Sequence, residues 1–295
     1  MKKIILKTVL LTAIVIVMVT GSFLLLIYAD INPNKLLGYE VYDALEEVEQ
    51  ANSYEAVLLG DSVSRQLCPP ESQGENAQVC YLSTNQAVTV IGNYILLCRY
   101  LENHPQTKQV IYMVQPVGLA NNMRSDFSYQ YFILPLYREP YLAYIDENTR
   151  EAVEEKYGRI FVSNPVIRYI LRNSAVCLKP YLERIHDDED GTVPEMMFRY
   201  LSGMQELCGK YGAEFILISS PLNEGFDYDT ERFLETVMQT EDAELRELFE
   251  RYTASMRFYE KDCFSDDVHF TKDYLEMHRE EILSLYPELH DTIQW

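Results

Sequence analysis

Positive charge is scarce in this chain: 25 lysines and arginines stand against 46 aspartates and glutamates, a net charge of −21. Such a field repels nucleic acid and other strongly anionic polymers, so no nucleic-acid function is expected and a neutral or cationic substrate is favoured over a polyphosphate. Also missing is any CxxC or Cys/His ligand spacing, so neither a zinc site nor a dithiol redox site is expected. There is no internal repeat, and the 295 residues leave no room for two large domains beside a membrane segment. Disorder is excluded too, because a hydrophobic share of 47% is too high for it. The acidic residues must therefore lie on the faces of a packed core.

One long apolar run is present, near the N-terminus. Lys2, Lys3 and Lys7 precede Val9 to Ala29, about 20 residues without a charge and enough to cross ~30 Å of hydrocarbon. The cationic start and the acidic Asp30, Glu40 and Asp43 that follow put the N-terminus in the cytoplasm and the rest outside. A cleaved signal peptide is the competing reading, but its apolar region is usually shorter, and Ile27, Tyr28 and Ala29 match a small-x-small site poorly. Residues 1–29 thus read as a single-pass cell-membrane anchor and 30–50 as a juxtamembrane segment with a short helix from Tyr42. Residues 51–295 read as an extracytoplasmic α/β domain. Of six cysteines, Cys68 and Cys80 flank a polar loop and are the best candidates for a bridge, which would stabilise by ~3 kcal/mol in the chain-entropy model. Cys98, Cys177 and Cys208 read as small buried hydrophobes.

The domain is organised around Ala56 to Ser64, AVLLGDSVS, a short apolar run that stops at Gly60, Asp61 and Ser62. It reads as a buried strand ending in a tight turn, which sets Ser62 at a strand's carboxyl end, the edge where open α/β sheets bind ligands. Further strands are expected at 79–82, 109–114, 214–219 and 256–259, with helices over 87–101, 193–211, 229–252 and 272–286 between and after them. Strands alternating with helices argue for a parallel sheet covered on both faces. The middle, 119–190, fits that alternation poorly. Its Tyr129, Tyr131, Tyr137, Tyr141 and Tyr144 read either as aromatic core or as a cap or surface resting on sugar or membrane. The run from His186 to Asp190 has no defined ligand spacing and reads as a solvated loop rather than a metal site.

A second signal lies near the other end, where Cys263 to Phe270 reads CFSDDVHF. A serine hydroxyl is a poor nucleophile until a base takes its proton, and His269 is the one histidine with a carboxylate at turn-compatible spacing on a loop after a strand. Asp266, three residues back, can accept the ring's other NH; the adjacent Asp267 is the alternative, and the motif favours Asp266.

Ser62 just after the first strand and Asp266-x-x-His269 before the last helix together resemble the SGNH/GDSL hydrolase superfamily. The resemblance frames roughly residues 51 to 290. It is nearest to the membrane-anchored branch that assists O-acylation of cell-surface polymers, as in teichoic-acid D-alanylation and alginate O-acetylation. The resemblance implies a three-layer α/β/α, flavodoxin-like domain, no metal or other cofactor, and a serine ester intermediate on Ser62, with His269 as base and Asp266 as its orienting carboxylate. Asp61 would support the turn. The family's oxyanion hole is only partly matched: Ser83, in the second block Tyr81 to Asn85 (YLSTN), stands where a glycine is usual, and the third block reads Val114 to Gly118 (VQPVG) without the usual Gly-x-Asn. Gln115 or Asn85 is the candidate amide donor. The implied function is an extracytoplasmic serine O-acyltransferase or esterase acting on acyl groups of a cell-envelope glycan or polymer. The alternative is a catalytically degenerate binding or scaffold subunit that partners a multi-span membrane-bound O-acyltransferase.

Overall fold

The structure, a computed structural model, describes residues 2–28, 40–50, 54–70, 79–84, 88–120, 123, 128–172, 193–227 and 230–290. The apolar N-terminal run forms helix α1 (Lys2–Tyr28), whose segment Lys3–Leu25 is 23 residues long, unburied, and long and apolar enough to cross a membrane. A short helix α2 (Glu40–Glu47) follows. It is no loose spacer: Val41, Tyr42, Ala44, Leu45 and, just beyond, Val48 are buried in the main core.

Four strands form one parallel sheet: β1 (Ala56–Gly60), β2 (Val79–Tyr81), β3 (Gln109–Met113) and β4 (Glu214–Ile218), in the order β2-β1-β3-β4. Leu58 pairs with Tyr81 on one side and Ile111 on the other, and Ile111 in turn with Ile216. Successive strand residues point to opposite faces. Val57, Leu59, Val110, Tyr112, Phe215 and Leu217 enter one apolar cluster, with helices α3 (Val90–Asn103) and α4 (Glu195–Tyr211). Leu58, Ile111, Met113, Ile216 and Ile218 enter a second, with Leu275, Ile282 and Leu283 of α5 (Lys272–Ser284). Burial on both faces is why these strands read as unbroken apolar runs rather than alternations. The chain leaves β1 for β2 on one side and later returns to β3 on the other. The carboxyl end of β1 is thus a crevice between diverging connections, the place where open parallel sheets bind ligands.

Three expectations need correction. The strand expected at 256–259 does not join the main sheet; Phe258–Tyr259 pairs with Leu222–Asn223 in a separate two-stranded ribbon. Its run is short and carries Arg257 and a half-exposed Phe258, too little apolar surface for a strand buried on both faces. The helix expected over 229–252 is two, Thr230–Met238 and Ala243–Ala254, because Asp242 caps the second by accepting the NH groups of Glu244 and Leu245. Cys68 and Cys80 are free thiols: Cys80 points into the first cluster and Cys68 into the second, so the sheet lies between them. Of the two readings of the aromatic segment, core is the one observed: Tyr129, Phe132 and Tyr137 are buried, and Tyr131, Tyr141 and Tyr144 pack against the same cluster. Cys177 and the His186–Asp190 run fall outside the described residues.

Candidate active site

The local sequence dictates a sharp turn after β1. A Cβ on Gly60 would collide with the Ser64 side chain and with the carbonyl of Met113 on the neighbouring strand, so only glycine fits. Asp61 then caps the helix Ser62–Leu67, accepting the NH groups of Val63 and Ser64 at 3.0 Å each. The same carboxylate accepts the NH of Gln115 at 2.9 Å and the Ser220 hydroxyl at 3.2 Å. One side chain thus clasps the ends of β1, β3 and β4. Burial drives this carboxyl above its ordinary value of 3.8, against the lowering pull of those bonds. Ser62, at the first helical position, is left with an NH that no described residue accepts.

The histidine is held by a tight loop. Phe264 and Phe270 form an antiparallel bridge, their rings stacked at 4.6 Å, and the Ser265 NH donates to the His269 carbonyl at 2.8 Å. Within the loop Asp266 Oδ1 accepts the NH groups of Val268 and His269 at 2.9 and 2.8 Å. Its Oδ2 lies 2.9 Å from His269 Nδ1. Desolvation pulls the Asp266 carboxyl up, but those two NH groups and the imidazole outweigh it and hold it below 3.8.

Across 207 positions of sequence, His269 Nε2 meets Ser62 Oγ at 2.7 Å. Serine, imidazole and carboxylate therefore form one hydrogen-bonded line at the crevice. With Asp266 accepting from Nδ1, the free lone pair of the neutral ring faces the hydroxyl. Asp266, which the motif favours, is the carboxylate at the ring, while Asp267 contributes its main-chain carbonyl, which accepts from Asn223 Nδ2 at 3.1 Å.

The expected oxyanion donors fare unevenly. Continuing the register Leu58↔Tyr81 sets Ser83 level with Gly60, beside the turn; its hydroxyl is buried with no partner among the described residues, and its carbonyl accepts from Arg65 at 3.3 Å. Gln115 is buried and turned elsewhere, its amide donating to the Pro221 carbonyl at 2.9 Å. It fastens β3 to the chain beyond β4. Asn85 lies outside the described residues.

Sequence reasoning missed the residue that joins the two halves. Gln66, one helical turn after Ser62, donates to the Phe270 carbonyl at 2.9 Å and accepts the Phe270 NH at 3.1 Å. A polar residue at i+4 from the serine is the only signal it leaves in the sequence. The line opens into a cleft of about 340 Å³, walled by Ser62, His269, Arg65, Lys272, Glu276 and Arg279 among others. Among the described residues, no group of three His, Cys, Asp or Glu side chains is placed to hold a metal ion.

No family model, curated protein or solved structure matches the chain. The geometry of its own residues is therefore what a functional reading has to stand on.

Proposed function

We propose that this protein is a membrane-anchored, extracytoplasmic serine esterase or O-acyltransferase of the SGNH type, with the three-layer α/β/α arrangement of that superfamily, acting on acyl groups of a cell-envelope glycan or polymer. The observation that carries the proposal is the 2.7 Å contact between Ser62 Oγ and His269 Nε2, backed by Asp266 at 2.9 Å. His269 takes the Ser62 proton as Oγ attacks the ester carbonyl, and the tetrahedral oxyanion receives the Ser62 NH and a donor of Ser83. Collapse breaks the bond to the leaving alcohol, which takes the proton from His269 and leaves a Ser62 ester. A water or acceptor hydroxyl then gives His269 its proton, attacks that ester and restores the serine. Asp266 holds the ring's tautomer and stabilises the imidazolium.

The test is a fluorophosphonate probe on the full-length protein in detergent. Ser62 is expected to be labelled, and labelling is expected to drop about 10²-fold or more in His269→Ala. Absence of labelling, or labelling indifferent to His269, overturns the enzymatic reading.

One observation favours the second reading, a non-catalytic subunit beside a multi-span acyltransferase. The Gln115 amide is committed to Pro221, so the side-chain oxyanion donor usual in the resembling family is not supplied by that residue. Loss of one donor typically costs about 10²- to 10³-fold in turnover, which leaves a slow enzyme rather than none. If Ser62→Ala leaves acylation of the cell envelope at its wild-type level while deletion of the gene abolishes it, the scaffold reading prevails.

A further inference from the structure

The cleft's charge runs against that of the whole molecule. Arg65, Lys272 and Arg279 stand in its wall against one carboxylate, Glu276, in a chain of net charge −21. Arg65 is ion-paired with Glu40 at 3.2 Å and Lys272 with Glu276 at 3.6 Å. Arg279 differs. Among the described residues no carboxylate lies within ion-pair distance of it; one terminal nitrogen donates weakly to the Gln66 carbonyl at 3.4 Å, and Nε is buried with no partner at all. Buried donors are nearly always satisfied in folded proteins, and a charged one left bare is especially costly. A guanidinium with donors still unspent and no carboxylate beside it, in the wall of the cleft that holds the nucleophile, has the chemistry to receive a carboxylate or phosphate.

We propose that Arg279, assisted by Lys272 and Arg65, binds an anionic group that the ester substrate carries a few bonds from its carbonyl. The inference rests on the serine-ester reading of the same cleft and adds the substrate's charge to it. The spacing suits such a molecule. Arg279 touches the main chain of Gln66, four residues and about 6 Å along the helix from Ser62, so guanidinium and nucleophile stand at one cleft within the span of a small ester. The acidic remainder of the surface does not forbid this ligand. At physiological salt charges more than about 8 Å away are largely screened, whereas the guanidinium touches the anion directly. The overall charge slows an anion's arrival; the cleft decides whether it stays.

The experiment compares hydrolysis of 4-nitrophenyl hemisuccinate with that of the uncharged 4-nitrophenyl butyrate by the full-length protein in detergent. The ratio of kcat/KM, anionic over neutral, is expected to exceed 1 in the wild type and to fall about 10- to 100-fold in Arg279→Gln, with partial recovery in Arg279→Lys. Lys272 is exposed, so Lys272→Gln keeps the fold even where Arg279→Gln does not, and it lowers the ratio in the same direction. Inorganic phosphate and acetate, added as competitors, show which anion the fork prefers. A wild-type ratio at or below 1, or a ratio untouched in both variants, overturns the inference. If neither ester is turned over and Ser62 resists the fluorophosphonate, the serine reading has failed and the anion site is judged separately on Ser62→Ala. A thermal shift with inorganic phosphate that disappears on adding Arg279→Gln upholds it, and no shift overturns it.

Discussion

Asp266 does two jobs with one carboxylate, pinning the loop through the NH groups of Val268 and His269 and orienting the imidazole. Replacing it by Asn keeps much of the loop but removes the charge behind the ring, so kcat/KM is expected to fall about 10²- to 10⁴-fold. Asp267→Asn, which alters an exposed side chain and leaves the main-chain carbonyl in place, is expected to stay within about twofold. Steady-state kinetics on the two variants checks both. The folded-state pKa of Asp266 lies below 3.8, so its contribution to stability is fully present above that value and is lost as pH falls through the lower, folded value. The melting-temperature deficit of Asp266→Ala, followed from pH 7 down to pH 2, should therefore shrink at the acid end. Ser62, Asp266 and His269 were legible in the sequence because turn chemistry is local: each motif is complete within nine residues. Gln115 was misread and Arg279 overlooked for the opposite reason. Their partners, or the lack of them, lie across the fold, where no spacing rule reaches.

At the scale of elements, two joints decide whether the serine and histidine meet. The first is the approach of β1 to β3 at Gly60, where a methyl group would press on Ser64 and on the Met113 carbonyl. Gly60→Ala is expected to destabilise by about 1–3 kcal/mol, measurable by urea unfolding, because backbone cannot yield as a flexible side chain would. The second is Gln66, whose paired bonds to Phe270 tie the serine helix to the histidine loop. Gln66→Ala should lower kcat more than it lowers the melting temperature, since it loosens the angle between two parts that each keep their own packing. If its melting temperature collapses while the residual activity per folded molecule is unchanged, the tie is structural only. The central strands were legible as continuous apolar runs. The β-ribbon of Leu222–Asn223 and Phe258–Tyr259 was not, because two-residue strands carry no periodicity to read.

At the scale of the whole molecule, the apolar helix and the buried thiols make the proposed topology testable without disturbing the core. Cys68, Cys80, Cys98 and Cys208 are buried, Cys263 is half-buried, and burial pushes the thiols of Cys68, Cys98 and Cys208 up to about 12. On intact cells a membrane-impermeant maleimide should leave Cys177→Ser nearly unlabelled and label the same variant strongly once it also carries Glu280→Cys; strong labelling only after lysis would put the domain on the other side. The acidic composition was legible as solvated surface, but the sign reversal in the cleft was not, since composition averages over the very patches in which a site differs from its surroundings.

The ion pair between Glu40 and Arg65 fastens the first turn of α2 to the helix that bears Ser62. On the anchored reading, only residues 29–39 lie between the lipid-crossing segment and that turn, and eleven residues pulled straight reach about 40 Å. The reach is bounded by that length, and its far end is tied by the ion pair to the helix of the proposed nucleophile. Chemistry on Ser62, if the proposal holds, would then be confined to a layer above the bilayer, and a polymer growing outward would be modified near its root and left alone at its tip.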